Sequence, residues 1–158
     1  MQPHTSRFCE HTITYRVPCN TTGQPIDRRQ NVDTAETAAL LASLLHGEPS
    51  DVFGILCLTA THHIIGYYEI GRGLPEPMRV IPREVCRTAL IANASAIVLA
   101  HNQQSGVPTP TCEDLELTRR LVNASETLCI DVLDVIVIIG GDTHMSVRRM
   151  CTSDPRVA

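Results

Sequence analysis

Two short apolar runs constrain the fold of this chain more than any other feature of its sequence. Ala96–Ala100 (AIVLA) and Val132–Ile139 (VLDVIVII) are apolar at almost every position and have the length of strands rather than helices. A strand of this kind is buried on both faces, so helices are expected to pack on the faces of the sheet that contains it. The two runs therefore predict an α/β domain with strands deep in its core.

The rest of the chain alternates between helical and strand-like patterns. Helices are predicted at residues 33–46, 82–93 and 111–128, and further strands at 51–59, 64–70 and 144–149. Asp33 and Glu36 have the spacing of a capping box, and Pro82 suits the first position of a helix. The strands on either side of Thr61–His63 are predicted to pair antiparallel, and the interleaving of strands and helices predicts a mixed sheet.

The chain is predicted to contain one domain between two short segments. Residues 1–32 form a polar, Pro-containing arm with one candidate edge strand at Ile13–Val17, residues 33–150 form the domain, and residues 151–158 form a tail. A length of 158 residues with 43% hydrophobic and 19% charged residues fits a single globular domain.

Composition also narrows the class of protein. A formal net charge of −4 and the lack of clustered Lys and Arg argue against a nucleic-acid partner. Seven cysteines without a C-x-x-C pair argue against a disulfide framework or a zinc finger and suit a reducing compartment. No signal-like N-terminus and no run of the roughly 20 apolar residues that cross a bilayer are present. We therefore predict a cytoplasmic protein with no membrane partner.

The most specific signal lies between Ala96 and Leu121. A buried strand leads into His101, a loop rich in Gly and Pro follows, and Thr111 then opens a helix that contains Asp114. Residues 101–106 read HNQQSG, residues 108–111 read PTPT and residues 117–121 read LTRRL.

These spellings and spacings resemble JAMM (MPN-type) domains of the RadC kind, in which the corresponding segments read HNHPSG, PTPS and LTRRL. Upstream, residues 69–73 (EIGRG) are similar to the Glu-bearing strand end of that family, and residues 82–85 (PREV) are similar to its helix start. The resemblance covers roughly residues 35–150. It implies a three-layer α/β/α fold with a mixed sheet, the JAMM/MPN architecture, which is cytidine deaminase-like.

The resemblance also implies a zinc site of the metallopeptidase type. In the family, two histidines and an aspartate bind zinc and a fourth position is left for water. By position, His101 is the first ligand, Gln103 stands at the second and Asp114 is the third. Glu69 is implied as the base that takes a proton from water, and Thr111 replaces the usual Ser that helps to hold the oxyanion.

Departures from the family pattern concentrate around this site. The amide of Gln103 is a poorer zinc ligand than an imidazole. Gln104 stands where the family has Pro, Val107 where an acidic residue is frequent, and Val135 and Ile81 where His is common. These changes predict a site in which zinc binding and catalysis are weakened or lost.

Structural explanations remain open for the same residues. His101 could be a satisfied polar residue at a strand end, Thr111-x-x-Asp114 is itself a capping-box pattern, and Glu69 could face solvent. Possible substitute ligands lie at positions where the family places none: Cys112, His62 and His63.

Two functions therefore stay open from the sequence. One is a zinc-dependent peptidase or isopeptidase, and the other is a catalytically silent MPN-type module that binds a protein partner. Both imply a protein or peptide as partner or substrate. Zinc deaminases are excluded, because their P-C-x-x-C segment is missing. The sequence does not specify an oligomeric state.

Overall fold

A computed structural model of the chain describes residues 15–16, 34–45, 47–73, 80–103, 111–140 and 143–147. Within them the helices are α1 (Thr34–Leu45), α2 (Pro82–Ile91) and α3 (Cys112–Glu126). The strands are β1 (Tyr15–Arg16), β2 (Val52–Leu58), β3 (Ile64–Arg72), β4 (Ala96–Asn102), β5 (Asp131–Gly140) and β6 (Thr143–Ser146). The described strands form one six-stranded sheet in the order β1-β3-β2-β4-β5-β6.

The sheet is mixed, as predicted. β4 and β5 are parallel, while the other neighbouring strands pair antiparallel. A parallel pair needs a long crossover, and α3 supplies it between β4 and β5. β2 and β3 pair antiparallel, which confirms the predicted hairpin. Its turn contains His62, whose φ of 59° lies in the left-handed region.

Helices cover both faces of the sheet and complete three layers. Ile97 and Leu99 of β4 pack in one cluster with residues of α2 and α3, such as Leu117. Val98 and Ala100, which alternate with them, pack in a second cluster with α1. We call these surfaces the α2–α3 face and the α1 face. All seven residues of β4 are buried, which confirms the prediction of a fully buried strand.

The predicted elements agree with the observed ones except near their ends. β4 continues past Ala100 because the Asn102 side chain extends its contact with β2: Val52 N donates to Asn102 Oδ1 at 2.6 Å, and Asn102 Nδ2 donates to Ser50 O at 3.0 Å. β6 spans Thr143–Ser146, so it ends before Val147, and residues 148–149 of the predicted strand lie outside the described residues. The predicted capping box of Asp33 and Glu36 falls on side chains that are not described.

The short strand β1 joins the sheet by pairing antiparallel with β3. This pairing confirms the candidate edge strand in the predicted arm. The division into arm, domain and tail stays a prediction. None of the helices in the described ranges combines the length and apolar character that crossing a bilayer requires.

Candidate functional site

The C-terminal end of β4 meets the N-terminus of α3 at a buried His–Asp pair. His101 Nε2 lies 3.1 Å from Asp114 Oδ1, and the two residues are 7% and 2% exposed. The motif spacing predicts that these side chains converge, and the structure confirms it. Their role as metal ligands stays a prediction.

Asp114 is fixed by the first turn of its own helix. Thr111 N and Thr111 Oγ1 both donate to Asp114 Oδ2 at 2.8 Å, and Asp114 N donates back to Thr111 Oγ1 at 3.2 Å. This is the capping box that the sequence left open as a structural explanation. Burial opposes ionisation, but hydrogen bonds from His101 and Thr111 outweigh it, so the pKa of the Asp114 carboxyl lies below its ordinary value.

His101 is held from the opposite side by an aromatic ring. Phe53 of β2 is its direct partner in the β2–β4 ladder. The two rings stack with their centroids 6.0 Å apart and their planes 17° from parallel. The imidazole is thereby confined between Phe53 and Asp114, and both lie on the α2–α3 face of the sheet.

Gln103 follows His101 by two residues and so lies on the same face of the strand path. Its backbone N donates to Ile138 O at 2.7 Å. Its side-chain Oε1 is buried, and the described residues supply no hydrogen-bond partner for it. Leaving a buried acceptor unpaired costs about 1–3 kcal/mol, so this oxygen is a position where a cation or a water donor would be stabilised.

Asp51 is a second carboxylate at this end of the sheet, and the sequence analysis did not identify it. Asp51 precedes Phe53 by two residues, and Gln103 follows His101 by two. Because Phe53 and His101 are partners in the β2–β4 ladder, strand alternation puts Asp51 and Gln103 on the same face of the sheet. Asp51 Oδ1 is buried and has no partner among the described residues. The sequence offers one signal for Asp51, which is an acidic residue at the start of an apolar strand. Which residues lie near Asp51, however, depends on the order of the strands in the sheet.

Glu69 is not brought to the His101–Asp114 pair. It lies on β3, which β2 separates from β4, and it pairs with Gly54, whose neighbour Phe53 projects onto the α2–α3 face. By alternation Glu69 projects on the α1 face, and its carboxylate oxygens accept from Arg72 Nε and Nη2 at 2.9 and 2.8 Å. Its role as a base stays a prediction.

None of the suggested substitute ligands joins the pair. Cys112 is exposed at the start of α3, while His62 and His63 lie at the β2–β3 turn, where His63 Nδ1 contacts Thr61 Oγ1 at 2.9 Å. Among the described side chains, no three His, Cys, Asp or Glu residues are arranged so that they could hold a metal ion. Gln103 stands at the second ligand position of the motif, and its role as a metal ligand stays a prediction.

Two further departures from the family pattern occupy different environments. Val135 is 1% exposed and belongs to the apolar cluster on the α2–α3 face, whereas Ile81 is 52% exposed before α2. Val107 and Gln104 lie outside the described residues.

Comparison with known proteins identifies close similarities along most of the chain. A family model described as "RadC-like JAB domain" matches residues 32–152. The chain is 39% identical over 121 residues to a UPF0758 protein of Halorhodospira halophila, covering 76% of this chain and 54% of that protein. It is 40% identical over 119 residues to a UPF0758 protein of Alcanivorax borkumensis, covering 75% and 53%. The chain thus spans about half the length of these relatives.

Proposed function

This chain belongs to the family of RadC-like JAB domains, and on that premise we propose that it carries a weakened zinc site of the metallopeptidase or isopeptidase class. The observation that supports the proposal most directly is the 3.1 Å contact between His101 Nε2 and Asp114 Oδ1 at the end of β4. The unpartnered Gln103 Oε1 at the same end of β4 supplies the third donor.

The residues present fit zinc, although poorly. His101 would hold the ion through an imidazole nitrogen and Asp114 would hold it through a carboxylate oxygen, and both are donor types that zinc accepts. The hydrogen bonds from Thr111 keep Asp114 ionised and oriented, as outer hydrogen bonds do for metal ligands. Gln103 contributes a neutral amide oxygen where an imidazole binds better, so we expect weak zinc affinity.

Zinc, when bound, lowers the pKa of a water molecule toward neutrality and so creates a nucleophile. The protein's own residues would hold the reacting groups in place and accept a proton from the water. Asp51 Oδ1 has no hydrogen-bond partner among the described residues, and strand alternation puts Asp51 on the face that carries His101, so we assign the base to Asp51 rather than to Glu69. Thr111 Oγ1 is committed to Asp114, and it acts by fixing that carboxylate.

The assignment is tested in a Gln103→His background, which restores the ligand type. In zinc, this variant is expected to cleave a mixture of unlabelled peptides, with cleavage measured by mass spectrometry. Adding Asp51→Asn should lower the rate about 100-fold, the usual lower range for loss of a general base. Adding Glu69→Gln is the matched control and should change the rate less than twofold.

A loss caused equally by Glu69→Gln would contradict the choice of Asp51. A Gln103→His variant that holds zinc without cleaving any peptide would favour the second candidate function, a silent module that binds a protein partner. One observation favours that candidate: His101, Asp114 and Thr111 satisfy one another through hydrogen bonds, so the pair does not require a metal to be stable.

A further inference from the structure

The largest exposed apolar side chains of the described residues concentrate in one place. They are Ile81, Leu90, Ile91 and Leu128. Three of these four line a groove of about 700 Å³ between α2 and the C-terminal part of α3, which we call the Leu90 groove. Leu90, Ile91 and Leu128 are 53%, 51% and 40% exposed. Neighbouring exposed apolar side chains rimmed by polar residues are a feature of interaction sites.

The two sides of the groove are built differently. On α2 its lining residues follow the helical spacing from Arg83 to Ile91, while the other side is formed by Ala124 of α3 and by Thr127 and Leu128 just beyond the end of that helix. The two helices touch beneath it, where Cys86 Sγ lies 3.8 Å from Ser125 Oγ. The groove is largely open to solvent, so the apolar face of an amphipathic helix could lie along it.

The rim of the groove on α2 is positively charged. Arg83 and Arg87 both contact the single carboxylate of Glu84, so two positive charges and one negative charge leave one positive charge. The Arg83 side chain is 80% exposed and the Arg87 side chain 50% exposed. Acidic residues beside the apolar stripe of a partner would complement this rim.

We propose that the Leu90 groove binds an amphipathic helical segment of another protein, with large apolar side chains at i, i+3/i+4 and i+7 and acidic residues beside them. A second copy of this chain fits less well, because a groove-to-groove arrangement brings the basic rims of both copies into one interface.

The groove and the His101–Asp114 pair lie toward opposite ends of α3. Ala124 follows Asp114 by ten residues, which corresponds to about 15 Å along a helix axis. A helix centred on the groove therefore lies away from the pair, so the partner is tethered to the domain rather than inserted into the site. This inference does not depend on zinc or on catalysis.

The test uses two fluorescein-labelled 16-residue amphipathic peptides with the same Leu stripe. One has Glu beside the stripe and the other has Lys, and binding to the full chain is measured by fluorescence anisotropy. The Glu peptide is expected to bind at least tenfold more tightly than the Lys peptide. Arg83→Glu combined with Arg87→Glu should reverse this preference, and Leu90→Ser should weaken binding of the Glu peptide at least fivefold.

Arg119→Glu is the control, because Arg119 is exposed on α3, pairs with Glu116 and does not line the groove. It should leave both affinities within twofold, and circular dichroism establishes that each variant is folded. Equal affinities for the two peptides, or no binding of either, would overturn the proposal. So would a dimer that Leu90→Ser dissociates, or binding to phosphatidylserine vesicles that the double Arg variant abolishes while neither peptide binds.

Discussion

Two buried oxygens at the candidate site, Gln103 Oε1 and Asp51 Oδ1, have no hydrogen-bond partner among the described residues. Each costs folding free energy in the absence of a donor or a cation, and proteins keep such atoms where they bind something. His101 and Asp114, in contrast, satisfy each other. The unsatisfied oxygens therefore indicate the point at which a ligand would gain most from binding.

The Asp114 carboxylate should stabilise the fold in a pH-dependent way. Its folded-state pKa is lowered from the model-compound value of 3.8, so its stabilisation is fully present above that pH and is lost as the pH falls through the lower folded-state pKa. Asp114→Asn should reduce the free energy of unfolding by about 1–2 kcal/mol at pH 7, the usual range for a lost cap. Urea denaturation in EDTA measures this.

As the pH falls from 7 towards 2, the difference between Asp114→Asn and the parent should shrink, because protonation progressively removes the charge that only the parent carries. Glu113→Gln is the control, since Glu113 is the exposed neighbour on the same helical turn. A difference that is independent of pH would show that packing, rather than the charge on Asp114, causes the loss.

Gly54 is needed because the Tyr67 ring lies against it. A Cβ atom at Gly54 would lie 2.7 Å from Tyr67 Cε2 and closer still to the phenol oxygen. Gly54→Ala should therefore lower the free energy of unfolding by about 1–3 kcal/mol, as overpacking does. In a double-mutant cycle measured by urea denaturation, Tyr67→Leu should remove most of this penalty. Full additivity of the two changes would exclude the clash as its cause.

At the scale of elements, the Asn102 side chain joins β4 to the start of β2. It accepts from Val52 N and donates to Ser50 O, so it takes the place of backbone hydrogen bonds beyond the regular ladder. This contact fixes the backbone on either side of Asp51 and next to Gln103. The position of the candidate site therefore depends on a residue that does not belong to it.

Asn102→Ala should weaken this junction without unfolding the domain. Two backbone groups lose their partners, and we expect a loss of about 2–3 kcal/mol in the free energy of unfolding. Hydrogen exchange at the Val52 amide should accelerate at least tenfold, while exchange in the centre of β4 follows the global change only. Asn102→Asp keeps the acceptor for Val52 N and should show an intermediate effect. Unchanged protection at Val52 would contradict this role.

The identity of most elements follows from the sequence because apolar periodicity is a local property. β4 and β5 were predicted from uninterrupted apolar runs, and the contact of His101 with Asp114 from the spacing of a motif. Asp51 lies fifty residues before His101 and approaches it only through the order of the strands. Glu69 lies beside a bulge in the β2–β3 pairing. The face on which its side chain projects depends on the register there, because a shift of one residue moves a side chain to the opposite face.

At the scale of the whole molecule, α3 connects two separate surfaces. Its first turn holds Asp114 against His101, and its last turn contributes to the Leu90 groove. The parallel pair of β4 and β5 fixes both ends of this helix on the sheet. A protein that docks in the groove would therefore be held at a set distance from the candidate zinc site, whether or not that site is active.

The central claim is that this domain retains a zinc site with one weakened ligand. Isothermal calorimetry tests this site most directly, by titrating zinc into the metal-free parent and into Gln103→His. Gln104→His is the control, because it adds a histidine one residue away. The variant is predicted to bind one zinc per chain at least tenfold more tightly than the parent and the control, and to gain thermal stability in excess zinc. Equal, negligible binding in all three proteins, or a full equivalent of tightly held zinc in the parent, would contradict the claim.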